Sequence, residues 1–345
     1  MLGGGGFLGF HAVAEALAQG HEVTTFSREG EVPLGGVEAL GGDRRSDLSA
    51  LWGRGWDAVL DTFSDPEAVG ETARLLSGSV GAYGFVSGVS VYHPEGPAVA
   101  NEGSPLRRPE DPTISEDDPL QERSIAKLRC EGAVREQFRG PTLVVRPGIM
   151  VGPRDPTDRF TWWPVRLRAA LAGEVGEEVL APGDPTRPVQ FTDARDLAAW
   201  MAGMLDAAEE GTFNAVGPGR PVTVSEVLHS CLQAAAISTD AEDGQQVRMG
   251  WAGEDFLREG LVGVPEEERP LWFPEDQIPF RAVDSSKAAE AGLSFRPVDE
   301  TALDTLAWAR SNPREGGLRA GFSREVESDL LRRWRKRSQN TENTR

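Results

Sequence analysis

The residues with the clearest chemistry are three glycines at the start of the chain. Gly3, Gly6 and Gly9 are spaced three residues apart, with Phe7 and Leu8 between the last two, and an apolar helical pattern follows. One such glycine permits a tight turn, one lets the backbone approach a pyrophosphate, and one lets a helix pack on a sheet. Free amides at the helix start favour phosphate charge. The spacing predicts dinucleotide binding, and a merely flexible glycine-rich segment is the alternative.

The two residues directly after the strand-like run at residues 22–26 bear on the choice of cofactor. An acidic residue there would bind the ribose 2′-hydroxyl of NAD, whereas this chain has Ser27 and Arg28. A hydroxyl and a guanidinium suit a 2′-phosphate. The pair therefore predicts NADP, with NAD as the alternative if Arg28 is only a solvated turn residue.

Alternating runs predict the elements that must hold these residues. Strand-like runs lie at residues 22–26, 56–62, 83–92 and 141–146, and helical runs lie at 10–19, 66–77 and 124–138. This alternation predicts βαβ units and a parallel sheet. Within that layout we expect Asp43, with Arg44 beside it, to reach the adenine. Thr62 ends a strand close to the cofactor.

The first strand of this predicted sheet is short. A strand of about five residues should precede the glycine turn, but only Met1 and Leu2 stand there. The pattern predicts either a truncated first strand or an apolar run encoded in frame before Met1.

Composition narrows the class of protein. The chain has 345 residues, 39% hydrophobic and 26% charged, as expected for one large or two modest soluble domains. It has no apolar stretch of membrane-spanning length and no secretory leader pattern, and its two cysteines suit a reducing compartment, so we expect a cytoplasmic protein. The four histidines lack metal-ligand spacing, which predicts no metal site. A net charge of −19 disfavours nucleic-acid binding.

Several motifs occur in an order that identifies a family resemblance. Besides the glycine turn, they are residues 56–59 (WDAV), 144–148 (VVRPG), 151–153 (VGP), 187–198 (RPVQFTDARDLA) and 211–215 (GTFNA). Together they resemble the extended short-chain dehydrogenase/reductase superfamily, in its NAD-dependent epimerase/dehydratase branch. The resemblance covers roughly residues 1–310. It is greatest to actinobacterial reductase-like members and to chloroplast stem-loop-binding relatives.

The resemblance implies an α/β fold with a doubly wound Rossmann sheet and a smaller, interleaved C-terminal substrate lobe. The NAD(P)-binding domain is expected at 1–148, with 189–216 returning to it. The substrate lobe is expected at 149–188 and 217–322. A C-terminal helix at 323–338 and a disordered tail at 339–345 complete the division.

The resemblance also implies a catalytic serine, tyrosine and lysine, and places Pro147 and Gly148 beside the nicotinamide. Lys127 occupies the lysine position, but the tyrosine position holds Arg123, which cannot act as a base near neutral pH. The serine position holds Gly88.

The remaining candidates for the reaction are few. Lys127, Ser87 and Tyr92 are the catalytic candidates, with Tyr92 able to act only if it swings in from the end of its strand. Asp155 or a substrate group is an alternative acid. A cluster of arginines in the substrate lobe either holds an anionic substrate or makes surface ion pairs: Arg154, Arg159 and Arg187.

Three functions follow from these residues. The first is an oxidoreductase or epimerase-like enzyme, monomeric or homodimeric, that acts on a small or sugar-like substrate with a degraded triad. The second is a catalytically silent protein that binds NADP or a metabolite. The third is RNA binding, which the chloroplast relatives suggest and the net charge of −19 opposes.

Overall fold

The computed structural model describes residues 1–114, 118, 120–239, 246–265, 268–272 and 282–342. The chain divides into two compact units. Unit 1 comprises Met1–Met150, Phe191–Gly219 and Pro279–Phe295, and unit 2 comprises Val151–Gln190, Arg220–Ile278 and Arg296–Arg345.

The elements are numbered in chain order. The helices are α1 (Phe7–Ala18), α2 (Pro66–Leu76), α3 (Gln121–Gln137), α4 (Trp162–Leu171), α5 (Ala194–Asp206), α6 (Val224–Ile237), α7 (Glu254–Gly260), α8 (Ser286–Glu290), α9 (Val298–Ser311) and α10 (Arg324–Glu342). The strands are β1 (Val23–Ser27), β2 (Val37–Gly41), β3 (Trp56–Asp61), β4 (Val80–Val86), β5 (Val99–Ala100), β6 (Thr142–Pro147), β7 (Met150–Val151), β8 (Glu178–Pro182), β9 (Pro188–Val189), β10 (Thr192–Asp193), β11 (Gly211–Ala215), β12 (Val222–Thr223), β13 (Arg248–Ala252) and β14 (Ala282–Val283). No helix in the described part of the chain is both long and apolar enough to cross a membrane.

Unit 1 is built on a parallel sheet in the order β2-β1-Leu2-β3-β4-β6-β11. Its inner strands are apolar on both faces, as in β6, where Leu143, Val144 and Val145 are all fully buried. Strand order and direction confirm the predicted doubly wound α/β fold.

Helices cover both faces of this sheet. On one face α1 and α5 pack over a core that includes Leu8, Val145 and Met201. On the other face α2 and α3 pack over a core that includes Val69 and Phe85. Side chains of each strand alternate between the two cores, so every helix buries one apolar face against the sheet.

At the centre of the sheet, between β1 and β3, the pairing runs through a single described residue, Leu2. Leu2 bridges Phe26 of β1 and Asp61 of β3 in parallel register. The Met1 ammonium donates to the Thr24 carbonyl at 2.7 Å. Burial lowers the pKa of this amine to about 6. Leu2 is therefore the described residue that joins β1 to β3.

A buried ion pair fixes the segment that follows β2. The Arg44 guanidinium donates to both carboxylate oxygens of Asp61, at 3.0 and 2.7 Å, and to Thr72 Oγ1 at 3.0 Å. The Tyr83 hydroxyl donates to Asp61 at 2.6 Å. Burial alone would raise the pKa of Asp61, but Arg44 holds it below its usual value, so the carboxylate is charged inside the core.

Unit 2 is built around the parallel pair β8 and β13 and the helices α4, α6 and α9. The C-terminal helix α10 packs on this pair, with Leu330 and Leu331 in a common core with Leu180. Glu327 of α10 is also buried, where it pairs with Arg166 at 2.7 Å and accepts from the backbone of Leu180 at 3.1 Å. These contacts attach α10 firmly to the rest of unit 2.

Each unit contains one buried cysteine without a disulfide. Cys130 lies in α3 of unit 1 and Cys231 in α6 of unit 2, and both side chains are fully buried. Burial raises both thiol pKa values, that of Cys130 to about 12.

Several sequence-based boundaries differ from the structure. The C-terminal helix continues to Glu342 rather than ending at residue 338, because no glycine or proline follows to end it. Residues 339–342 are therefore helical rather than a disordered tail, and residues 343–345 lie outside the described residues. Pro279–Phe295 belongs to unit 1, since β14 pairs with β5 and Leu293 packs in its core.

We expect Arg44→Met to lower the free energy of unfolding by about 3–5 kcal/mol, because it leaves the Asp61 carboxylate buried and unpaired. Urea unfolding of the cofactor-free protein, followed by circular dichroism, measures this loss. Arg248→Met is the matched control, since Arg248 pairs with Glu177 on the surface, where both side chains are more than 60% exposed. Equal losses in the two variants would show that the buried pair contributes no more to the free energy of unfolding than the exposed pair does.

Candidate functional site

The glycine turn lies where α1 begins, and its three glycines differ in what they require. Gly3 has a φ of +95°, a conformation that residues with side chains rarely adopt. A Cβ at Gly9 would overlap the carbonyl oxygen of Gly3, so the start of α1 approaches the turn too closely for any other residue. A Cβ at Gly6 would lie 3.7 Å from that oxygen, which is ordinary contact. Packing therefore explains Gly3 and Gly9 but not Gly6.

The turn ends at an open helix N-terminus. Gly5 and Gly6 are exposed, whereas Leu8 packs into the core. Phe7 begins α1, and within the described residues no side chain caps this helix start. The first amides of a helix lack intrahelical acceptors. Those of α1 are consequently available to an anion such as a pyrophosphate.

Two hydrogen bonds place the turn between the carboxyl ends of neighbouring strands. The Gly3 amide donates to the carbonyl of Phe26 in β1 at 3.1 Å. Thr62 Oγ1, directly after β3, donates to the Leu2 carbonyl at 3.4 Å. A cavity of about 380 Å³ adjoins the end of β3 and is lined by Arg45 and residues 62–66. Ligands of open α/β sheets bind at such carboxyl ends.

Ser27 is the last residue of β1 and Arg28 follows it, at the strand end that holds the glycine turn. Arg28 is exposed and makes no ion pair or hydrogen bond within the described residues. The Ser27 hydroxyl is buried and has no hydrogen-bond partner among them. Among the described residues, a free hydroxyl therefore ends the strand beside the glycine turn, and a free guanidinium follows it.

The two residues predicted at the adenine both make contacts within the protein. Asp43 is half-buried, and its carboxylate accepts from the Arg45 amide at 2.9 Å, which shapes the loop after β2. Arg44 is buried, and its guanidinium is occupied by Asp61 and Thr72. The structure thus gives Arg44 a role in the core, and its predicted contact with a cofactor gains no support.

Lys127 lies on α3 and joins the ends of two strands. Its Nζ donates to three backbone carbonyls, those of Thr62 at 3.3 Å, Phe63 at 3.2 Å and Val86 at 2.8 Å. Burial lowers the pKa of this amine to about 8. All three ammonium protons are therefore committed to the protein backbone.

Tyr92 is held in a buried network instead of facing a cleft. Its hydroxyl donates to Asn214 Oδ1 at 2.7 Å and accepts from Arg146 at 3.1 Å. Arg146 in turn pairs with Glu131 at 2.7 Å. Tyr92 is fully buried, and burial raises its pKa. In this arrangement the phenol cannot meet a substrate without breaking the network.

The structure also places the residues at the other two positions of the expected triad. Arg123 is exposed on the first turn of α3, one helical turn before Lys127. Gly88 has extended backbone, and a Cβ there would lie 3.7 Å from the Pro147 carbonyl, so a serine would fit. The Ser87 hydroxyl is buried next to the Glu131 carboxylate.

Pro147 and Gly148 lie at the end of β6, next to the end of β4 in the sheet. A Cβ at Gly148 would crowd Val216 at 3.2 Å. The pair therefore lies at the same sheet edge as the glycine turn and the end of β3.

The polar candidates of unit 2 are engaged within that unit. Asp155 is buried, and its carboxylate accepts from the amide and hydroxyl of Thr157. Arg187 pairs with Glu254, and Arg159 donates to the Arg269 carbonyl at 3.3 Å. Burial raises the pKa of Asp155. These contacts favour ion pairing and loop structure over a free anion-binding cluster.

Sequence reasoning missed Glu131 and Asn214, which complete the network around Tyr92. A signal did exist, because Arg146 stands at the end of an apolar strand, and a buried arginine needs a carboxylate partner. The identity of that partner, 15 residues away on α3, has no such signal.

Solved structures share this fold at low sequence identity. A putative epimerase from Burkholderia cenocepacia is similar, with a TM-score of 0.62 and 17% identity over 90% of this chain and 97% of that one. MoeE5 in complex with UDP-glucose and NAD gives 0.58 and 20% over 91% and 98%. UDP-glucose 4-epimerase from Bifidobacterium longum, in complex with NAD+ and UDP, gives 0.56 and 20% over 90% and 98%.

Comparison with curated protein sequences gives no match. A family model, that of the NAD dependent epimerase/dehydratase family, matches residues 1–216. This match spans well over half of the chain and contains the glycine turn, the carboxyl ends of β1, β3, β4 and β6, and Lys127. The chain belongs to the NAD dependent epimerase/dehydratase family.

Proposed function

We propose that unit 1 binds a nicotinamide dinucleotide and that the protein is an oxidoreductase or epimerase-like enzyme acting on a small or sugar-like substrate. The observation that carries the proposal is the turn from Gly3 to Gly9. In this turn Gly3 has a left-handed conformation, and α1 approaches the turn closely at Gly9. Among the described residues no side chain caps the start of α1, which lies between the ends of β1 and β3. A pyrophosphate fits there because backbone amides can reach it without a side chain in between.

The proposed cofactor is NADP. Ser27 ends β1 and Arg28 follows it, where a carboxylate would be needed to bind the ribose 2′-hydroxyl of NAD. The exposed guanidinium offers paired donors to a 2′-phosphate. MoeE5 and the Bifidobacterium longum epimerase were solved with NAD, so NAD is the alternative for this chain.

The proposed substrate class follows from the same relatives, whose structures contain UDP-glucose or UDP. A bound nicotinamide would supply hydride transfer. The chain's own residues would position the substrate, with Ser87 as the candidate hydroxyl and Lys127 fixing the strand ends at which the cofactor lies. Proton transfer then needs an acid other than Tyr92, such as a group of the substrate itself.

The state of the expected catalytic groups favours a second candidate, a catalytically silent protein that binds NADP or a metabolite. Lys127 gives all its protons to carbonyls, Tyr92 is locked by Arg146 and Asn214, and Arg123 replaces the expected phenol. Such a protein would keep the cofactor site and lack the reaction.

We expect Gly6→Ala to weaken NADPH binding while leaving the melting temperature unchanged, because the added methyl meets no protein atom closely but blocks the approach of phosphate. The loss of charged hydrogen bonds of about 1.5–3 kcal/mol corresponds to about 10- to 100-fold in Kd. Isothermal titration measures it. Gly203→Ala on the exposed face of α5, where the methyl meets nothing, should leave binding intact. Equal affinities of both variants would refute the phosphate site.

We expect Arg28→Ala to reduce NADPH affinity by about 10- to 100-fold, since it removes charge-assisted hydrogen bonds to the 2′-phosphate. NADH has no such phosphate, and its affinity should not change. Titration of both cofactors into both proteins gives the ratio. An unchanged ratio would remove Arg28 from cofactor selection and favour NAD.

A turnover assay separates the two candidates. With saturating NADPH or NADP, carbonyl substrates and UDP-sugars should be converted slowly by the protein, and Lys127→Met should lower the rate. Adding the missing groups in Gly88→Ser/Arg123→Tyr should raise the rate by about 10²–10⁴-fold, the usual contribution of a positioned acid. Tight cofactor binding with no turnover in the unaltered protein, unchanged by Lys127→Met, would establish the silent candidate instead.

A further inference from the structure

Arg123 is an exposed arginine at the sheet edge where the proposed cofactor site lies. It stands on the first turn of α3, four residues before Lys127, so the two side chains are neighbours on one face of the helix. Lys127 reaches the ends of β3 and β4 through the carbonyls of Thr62 and Val86. Arg123 therefore lies one helical turn from a residue that is fixed to these strand ends.

The surroundings of Arg123 favour a negative charge. Burial lowers the pKa of the Lys127 amine, and the positive charge of Arg123 acts in the same direction, so the two cations repel each other. The start of a helix is also the positive end of its dipole, where an arginine is unfavourable. Within the described residues no side chain caps the start of α3. An anion bound at Arg123 would relieve both repulsions.

Carboxylates of the surrounding elements do not supply this negative charge. Four of them are paired with other arginines, namely Asp61 with Arg44, Asp65 with Arg45, Asp118 with Arg107 and Glu131 with Arg146. Glu122 is exposed beside Arg123, but adjacent residues of a helix do not face each other. Arg123 makes no ion pair or hydrogen bond within the described part of the chain. Its guanidinium donors are thus available to a ligand.

The place of Arg123 along the sheet separates it from the predicted 2′-phosphate site. Arg28 follows β1, and β1 is three strand spacings from β4 in the sheet order. Neighbouring strands lie about 4.8 Å apart, so the ends of β1 and β4 are about 14 Å apart. Beside β4 lies the end of β6 with Pro147, where the nicotinamide is expected. An anion at Arg123 would therefore belong to a second ligand next to the reacting end of the cofactor.

We propose that Arg123 binds a carboxylate or phosphate group of the substrate, so that the protein selects an anionic, sugar-like molecule over a neutral one. This proposal rests on the function proposed for unit 1. A guanidinium holds either group through two parallel hydrogen bonds. The hydroxymethyl group of a neutral sugar offers neither the charge nor the second acceptor. Arg123 is thus a specificity-determining residue at the position where the family resemblance implies a phenol.

The test compares three sugars, glucuronate, glucose 6-phosphate and glucose, titrated at low salt into the protein with and without saturating NADPH. Isothermal titration should show at least one of the two anions binding about 10-fold or more tightly than glucose, the usual effect of charged hydrogen bonds. The tighter anion distinguishes a carboxylate site from a phosphate site. Low salt is needed because ions screen an exposed charge.

Two substitutions tie this preference to the guanidinium. Arg123→Gln should reduce the affinity of the preferred anion about 10-fold or more and leave the affinity for glucose unchanged. Arg123→Lys should retain part of the preference, because it keeps the charge and loses the paired geometry. In Gly88→Ser/Arg123→Tyr, the KM for an anionic sugar should rise even where kcat rises, because the phenol replaces the guanidinium.

Arg129→Gln is the matched control. Arg129 is also exposed on α3 and unpaired within the described residues, but it lies six residues further on and so on another face of the helix. This variant should keep the affinities of the unaltered protein. Equal affinities for charged and neutral sugars, or equal losses in Arg123→Gln and Arg129→Gln, would overturn the proposal. So would an equal loss of NADPH affinity in Arg123→Gln, because Arg123 would then serve the cofactor.

Titration of NADPH into the unaltered protein tests the proposed function separately. If NADPH does not bind, that function fails. A selective loss of anion binding in Arg123→Gln, measured on the cofactor-free protein, would still support the anion site. If NADPH binds and neither anion is preferred over glucose, the anion site fails and the cofactor site remains.

Discussion

The sheet of unit 1 depends on the backbone pairing of one residue, Leu2. It bridges Phe26 and Asp61 and thereby joins β2 and β1 to the four strands on the other side. The glycine turn begins directly after it, so the position of the turn between the ends of β1 and β3 follows from this pairing. A parallel sheet normally distributes such a junction over a whole strand. Here the junction is concentrated at the edge where ligands of this fold bind.

Cations that the sequence offers for chemistry are used along that edge to hold strands together. Arg44 neutralises Asp61 at the end of β3, Lys127 joins the ends of β3 and β4, and Arg146 of β6 pairs with Glu131. Each charge is buried, and each is matched by a carboxylate or by carbonyl dipoles, as burial demands. The edge is consequently rigid and polar, which suits the precise binding of a cofactor. Among the described residues it leaves the Ser27 hydroxyl and the Arg28 guanidinium as groups that are not already engaged.

The sequence was sufficient to predict the fold and the glycine turn, because both depend on local patterns. Alternating apolar runs located β1, β3 and β6 to within one residue. The run at 83–92 was too long, since β4 ends at Val86, and α1 begins at Phe7, three residues before the predicted helical run. The partners of Arg44, Lys127 and Tyr92 were beyond such reasoning. Each bond joins residues that are far apart in the chain, such as Tyr92 and Asn214, 122 residues apart, and periodicity carries no information about those distances. Arg44, predicted at the cofactor, was the clearest case, since an exposed and a buried arginine look alike in sequence.

The two buried cysteines have a practical consequence. Cys130 lies in the core of unit 1 and Cys231 in that of unit 2, and burial raises the pKa of both thiols. A thiol reacts as its thiolate, and only when reagent can reach it. Alkylation of either residue thus requires its surroundings to open first. With one thiol in each unit, the labelling rate of each cysteine, measured by mass spectrometry, reports the opening of its own unit. No reporter residue has to be introduced into the protein.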